Sequence, residues 1–262
     1  MRTWSTSNMV DTPKYQKDYS LNSQSILDHE KRKPKIDKVI SVLKDAGVLG
    51  KEKGKLAIDI GCSGGFFISS MVPFYEHVIG LDIDNNALYE AIKNNENKGV
   101  IYIAADSMLL PLPDNSVDLI ICNHVYEHVP DSVKLFSEIY RVLDSDGACY
   151  YGAASRLTLF EPHYFLPFLS WLPKWIAHYY MRVTSKGDYY YEKLRTYWGI
   201  KKLIRRFNVH DYTLEIVMDP DRFSARDIIP KDGLIDKIPL VLWKAFYWLL
   251  PGYIFILRKR EY

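Results

Sequence analysis

Short, wholly apolar runs along the chain alternate with stretches in which apolar residues recur every three or four positions, and this predicts strands and helices in turn. From Ile36, the residues Val39, Ile40, Leu43 and Val48 keep helical spacing until Gly47 and Gly50 end the segment. Residues 55–60 read as a buried first strand, followed by a Gly/Ser turn and an apolar helix from Phe66 to Val72. Residues 77–84, 100–105 and 116–123 predict three more strands. A helix capped by Asp131 and Ser132 should bury Val133, Phe136, Ile139, Tyr140 and Leu143, stop at residues 144–147, and lead to a fifth strand at 148–153. The next clear strand is read over 207–218. Residues 238–257 form a long apolar run that Pro251 and Gly252 cut into a helix and a final strand at 253–257. Strands alternating with helices imply a parallel sheet with helices on its faces.

Composition narrows the classes. Of 262 residues 48% are hydrophobic, enough for a real core, and a net charge of +2 excludes nucleic-acid binding by bulk electrostatics. Cys62, Cys122 and Cys149 are odd in number and lack metal-like spacing, so a reducing, cytoplasmic setting is expected. The first residues lack the apolar core of a secretion signal, which predicts no export by that route. Residues 1–33 are polar, with a charged run from His29 to Lys33, and read as an arm or short helix over a ligand crevice, or as a solvated tail.

The candidate chemistry begins at the first turn. Asp59, Gly61, Ser63 and Gly65 follow a strand, and residues with little side chain there let a ligand approach the backbone closely. This stretch resembles the first motif of the class I S-adenosylmethionine-dependent methyltransferases, an acid followed by three alternating glycines, with Ser63 at the middle glycine position. Asp82 ends the second strand 23 residues after Asp59, close to the interval at which nucleotide-binding folds place a carboxylate for ribose hydroxyls. In the family, an acid at the position of Asp106 contacts the adenine amino group. The resemblance covers about residues 55–153 and, through the Glu127-His128-Val129-Pro130-Asp131 stretch, is nearest the type 11 branch. It implies a Rossmann-like sheet of seven strands, mostly parallel with the last antiparallel, and S-adenosylmethionine as cofactor. The residues it assigns to the cofactor are Asp59, Gly61, Cys62, Ser63, Gly65, Asp82, Ile83, Asp106, Ser107 and Asn123. Asp84 is read instead as a helix cap.

His124-x-x-Glu127-His128 also spells the inverted zinc-peptidase signature, but zinc needs it on a helix and here it follows a buried strand directly. Quinone-pathway relatives bind a divalent metal through Glu-x-x-Glu-His at this place; His124 stands at the first position, so no metal is expected. About fifty residues separate the fifth strand from the sixth, and an insertion at that sheet edge is expected to form an aromatic-rich helical lid over the acceptor. The domain reading is an arm and helix at 1–50, a cofactor core at 51–154, the lid at 155–205 and completing strands at 206–262. Candidate bases are His124, His128 and, in the lid, His163 with Glu161, although Glu161 could instead pair with Arg156. The expected reaction is O-methylation of a glycan, lipid-linked or other amphipathic small acceptor, with no nucleic acid as partner. Peripheral membrane contact through Trp243, Lys244 and Trp248 is a further reading. A catalytically silent scaffold of the same fold and a nicotinamide-dependent oxidoreductase are the alternatives.

Overall fold

The computed structural model describes Ser20 and residues 29–50, 52–95, 99–233 and 235–260. The expected N-terminal arm lies outside these residues, apart from Ser20 and the start of the first helix. In chain order the core elements are α1 (His29–Asp45), β1 (Gly54–Ile60), α2 (Phe66–Met71), β2 (Tyr75–Asp82), α3 (Asn85–Asn94), β3 (Val100–Ala104), β4 (Val117–Asn123), α4 (Ser132–Val142) and β5 (Leu143–Ala154). Then come α5 (Lys174–Val183), α6 (Tyr197–Leu203), β6 (Phe207–Asp211), α7 (Thr213–Met218), α8 (Leu240–Ala245) and β7 (Gly252–Lys259).

The sheet has seven strands in the order β3-β2-β1-β4-β5-β7-β6. The first five are parallel, and β7 runs antiparallel to both β5 and β6. Alternation along the central strands builds both layers. Ile58, Ile60, Ile120 and Cys122 face α4 and α6, whereas Ala57, Leu119 and Ile121 face α1, α2 and α7. The strand order reverses between β1 and β4, so their carboxyl ends leave a crevice, and the turns that follow both strands meet there.

Several boundaries differ from expectation. Residues 144–147 do not end α4 as a turn; they lie within β5, as a register shift in which Leu143 pairs with Val117 but Ala148 with Leu119. Along α4 the buried apolar positions are Leu135, Phe136, Ile139 and Val142, and Val133 is exposed. Residues 213–218, read as part of a strand, form α7, whose buried Thr213 and Ile216 are three apart; a run this short, with four apolar residues, cannot by periodicity distinguish the two states. The apolar run at 238–250 is broken into α8 and a short 3-10 turn, Tyr247–Leu249, and Trp243 packs against the core instead of pointing outward. Among the described residues no helix is long and apolar enough to cross a membrane.

Between β5 and β6 the insertion carries its own small core of Leu166, Leu169, Ala177, Met181 and Tyr190. Its two ends are joined where Arg156 N donates to Arg195 O at 2.9 Å, and Ser155 N donates to Pro251 O, just before β7, at 2.9 Å.

Candidate active site

A cavity of about 410 Å³ opens at the crevice, and four strand ends contribute to its lining. The β1 turn gives Gly61, Cys62 and Ser63; the end of β2 gives Asp82 and Ile83; Asp106 and Ser107 follow β3; Asn123 and His124 follow β4. Gly61 takes φ 70° and amide bonds from Gly61 and Cys62 to Leu81 O, at 2.8 and 3.0 Å, fold the turn against β2. A Cβ on Gly61 would sit 2.8 Å from Val125 Cγ2, so the two turns close on each other only because this residue has none. Ser63 also takes a left-handed conformation, φ 48°, and its N–H donates to Asp82 Oδ2 at 2.7 Å. The serine thus reproduces the backbone that a glycine would supply there.

Asp82 holds the centre, accepting from Asp84 N through Oδ1 at 2.9 Å. Burial raises its pKa, against these amide bonds. Asp84 is the α3 cap, accepting from Asn86 N and Ala87 N, and its other oxygen accepts Ser20 N at 2.7 Å. Asp59 and Gly65 do not line the cavity. Asp59 is buried beneath it, and burial, then the Asp82 charge, push its carboxyl well above the usual range. Gly65 caps α2 with φ 75°.

The three candidate histidines all line the cavity. His124, at φ 59°, turns its Nδ1 to Glu127 Oε1 at 3.2 Å. Residues 124–128 form a turn, not the helix that zinc-peptidase chemistry needs. His163 reaches in from the insertion and stands edge-on to His128, ring centroids 4.8 Å apart. Its Nδ1 lies 2.7 Å from Oε1 of Glu161, which is fully buried. Glu161 Oε2 accepts the amides of His163 and Tyr164 at 2.7 and 3.0 Å, and Arg156 is engaged elsewhere, donating to Ser170 O. Burial alone would lower the His163 pKa, but Glu161, with Glu192 and Glu127 behind it, raises it above the ordinary histidine value. His128 goes the other way, to about 4, because burial outweighs Glu127. The two neighbouring imidazoles are thus driven apart in basicity.

Sequence reasoning missed several members. Arg32 and Lys35 of α1 line the cavity, and only the packing of α1 beside the β1 turn brings them there. Glu127 and Glu192 are buried carboxylates; Glu192 accepts Tyr164 OH at 3.2 Å and sits in a polar-looking segment that gives no signal of burial. Glu127, His128 and His163 each present a ligand atom within 4.8 Å of the other two, a grouping that could hold a divalent ion.

This sheet order, with a glycine turn and an acid-lined crevice at its centre, is the Rossmann-like fold of the class I S-adenosylmethionine-dependent methyltransferases. The sequence profile of the methyltransferase domain family, type 11, matches residues 58–151 of this chain. Over 147 residues it is 26% identical to a ubiquinone biosynthesis O-methyltransferase of Actinobacillus pleuropneumoniae, covering 53% of this chain and 59% of that one. Over 110 residues it is 32% identical to the cycloartenol-C-24-methyltransferase of Arabidopsis thaliana, covering 39% and 32%. The chain thus spans less than two thirds of the length of these curated relatives. Among solved structures, an S-adenosylmethionine-dependent methyltransferase from Mesorhizobium loti shares the fold with a TM-score of 0.56, at 18% identity over 82% of this chain and 95% of that one.

Proposed function

We propose that this chain methylates a hydroxyl oxygen of an amphipathic small molecule, a glycan or lipid-linked acceptor among them, with His163 as general base. The observation that carries the reading is the contact between His163 Nδ1, on the cavity wall, and the buried Glu161 carboxylate at 2.7 Å. S-adenosylmethionine, when bound, supplies a methyl group already activated by its sulfonium. The β1 turn fits such a cofactor, since Gly61 lines the cavity with no side chain and lets a ligand approach the backbone closely. Asp82 would hold the ribose hydroxyls, Asp106 and Ser107 the adenine, and Gly61, Cys62, Ser63, Ile83 and Asn123 the remaining contacts, with Asp59 and Gly65 shaping the turn from behind.

Glu161 accepts the Nδ1 proton of His163, which fixes the tautomer whose Nε2 carries a lone pair. That nitrogen takes the acceptor's proton, and Glu161 then stabilises the imidazolium. His128, kept neutral by burial, packs against the base without competing for the proton. The insertion acts as the acceptor lid because it delivers Pro162 and His163 to the cavity.

The test is transfer of labelled methyl groups to a panel of lipid-linked sugars, polyprenyl alcohols and quinols. Wild type should label one class, and His163→Ala should slow it about 10²–10⁴-fold with unchanged S-adenosylhomocysteine binding. Undiminished turnover in His163→Ala removes the residue from the role. No labelling across the panel by a protein that binds S-adenosylhomocysteine favours the silent-scaffold alternative. A second reading places a divalent ion on Glu127, His128 and His163; the buried Glu127 Oε2, which lacks a hydrogen-bond partner, favours it. Metal analysis of the purified protein, and turnover after chelation, separate the two.

A further inference from the structure

The loop that carries His163 inward also turns large aromatic side chains outward. Phe165 and Phe168 both take left-handed backbone conformations, φ 56° and 57°, which bulky residues rarely adopt. Each nevertheless leaves its ring in solvent, 77% and 49% exposed. The conformation is pinned by Phe165 N donating to Glu161 O at 2.8 Å and Phe168 N to Leu159 O at 2.7 Å. Burial therefore does not account for these two positions.

Helix α5 continues the pattern. It turns Ala177 and Met181 into the insertion's core, yet its opposite face presents Trp175, Tyr179 and Val183, spaced four apart and 73%, 64% and 63% exposed. A helix apolar on its solvent side as well as its core side is unpartnered on the outside. Charge says what would cover it. Within 155–205 the acids are Glu161, Asp188 and Glu192, and two of them are buried, whereas Arg182, Lys186, Lys202 and Arg205 are exposed. A second copy of the chain would bring the same excess of positive charge against itself. Aromatic rings flanked by cations match the interface of a bilayer with anionic headgroups.

Topology puts this face beside the cavity. The insertion leaves the sheet after Ala154, and β7 begins opposite it at Gly252, so residues 238–251 leave the same edge. There Trp248 lies against Trp198, ring centroids 5.7 Å apart, both exposed.

We infer that the outer face of the insertion, centred on Phe165, Phe168, Trp175 and Tyr179, docks on an anionic lipid bilayer. This moves the membrane contact expected at Trp243 to the insertion. Delivery of an amphipathic acceptor from the bilayer to His163 rests on the functional reading above, while docking itself is measured without turnover.

Flotation of the full chain with vesicles of phosphatidylcholine alone, or of phosphatidylcholine with phosphatidylglycerol, tests the inference. Wild type should float with the anionic vesicles, less so at high salt. The triple variant Phe165→Ser, Phe168→Ser, Trp175→Ser should partition about a hundred-fold more weakly. Ile92→Ser, an exposed apolar residue on α3, should float like wild type. S-adenosylhomocysteine binding by the triple variant, measured by calorimetry, shows that it is folded. No flotation of wild type, or flotation unchanged by the triple substitution, overturns the inference. A wild-type dimer that becomes monomeric in the triple variant, with no vesicle binding by either, also overturns it and makes the face a self-interface. Flotation by a protein that binds no S-adenosylhomocysteine upholds docking and sinks the functional reading alone.

Discussion

Replacing Glu161 by Gln tests the proposed base without changing its shape. In the wild type, Oε1 accepts from His163 Nδ1 at 2.7 Å, and Oε2 accepts from the His163 and Tyr164 amides at 2.7 and 3.0 Å. An amide has one acceptor oxygen and one donor group. If the oxygen stays on the two backbone amides, the NH₂ faces Nδ1 and forces the proton onto Nε2, which can then no longer accept one. The reverse orientation sets the NH₂ against two N–H donors. Losing one charge-assisted hydrogen bond at a fully buried group should cost about 1.5–3 kcal/mol of stability. With the carboxylate gone, the burial that opposes His163 protonation is left without its main counterweight, so the His163 pKa should fall from above the ordinary histidine value to below it. The sign for stability follows. A histidine whose folded pKa is raised stabilises the fold below its unfolded pKa and loses that contribution as pH rises through the folded one. The variant should therefore be most destabilised relative to wild type below about pH 6.5 and least at pH 9. Nitrogen-detected NMR of the imidazole reads tautomer and titration directly, with no acceptor required. Once an acceptor is known, kcat should fall about 10²–10⁴-fold. An unchanged tautomer and titration midpoint would refute the reasoning.

Two further outcomes follow from the geometry. Gly61→Ala must hold a Cβ at φ 70° and 2.8 Å from Val125 Cγ2, so it should destabilise the chain by about 1–3 kcal/mol in urea denaturation and weaken S-adenosylhomocysteine binding. His128 has its pKa depressed to about 4 by burial, so it binds a proton in the unfolded chain before it does in the folded one. Its contribution should lower stability as pH falls from about 6.5 to 4, by up to about 3 kcal/mol, and a His128→Gln variant compared by urea titration at both pH values should lack that part of the slope.

The core was legible because each of its signals is local. Apolar runs ending in Asp82 and Asn123 mark buried strands, and Asp84 and Asp131 cap helices through bonds two and three residues away. The register shift inside β5 was not, because Asp144-Ser145-Asp146-Gly147 has the composition of a turn and only pairing with β4 shows it to be strand. Nor was α7, where four apolar residues in a run of six suit either state. At the site, spacing brought out Gly61, Ser63 and Asp82, which adjoin in sequence or follow the strand repeat. Arg32, Lys35 and Glu192 reach the site region from separate segments, and nothing around them in sequence records that meeting.

The central claim is that the crevice at β1, β2 and β4 holds S-adenosylmethionine through Asp82 and the glycine turn. Calorimetric titration of S-adenosylmethionine, S-adenosylhomocysteine and NADH into wild type and Asp82→Ala tests it most directly. The account predicts binding of the first two at about micromolar Kd, none of NADH, and a loss of about a hundred-fold or more in the variant. A folded wild-type protein that binds neither adenosyl compound, or binds NADH alone, would contradict it.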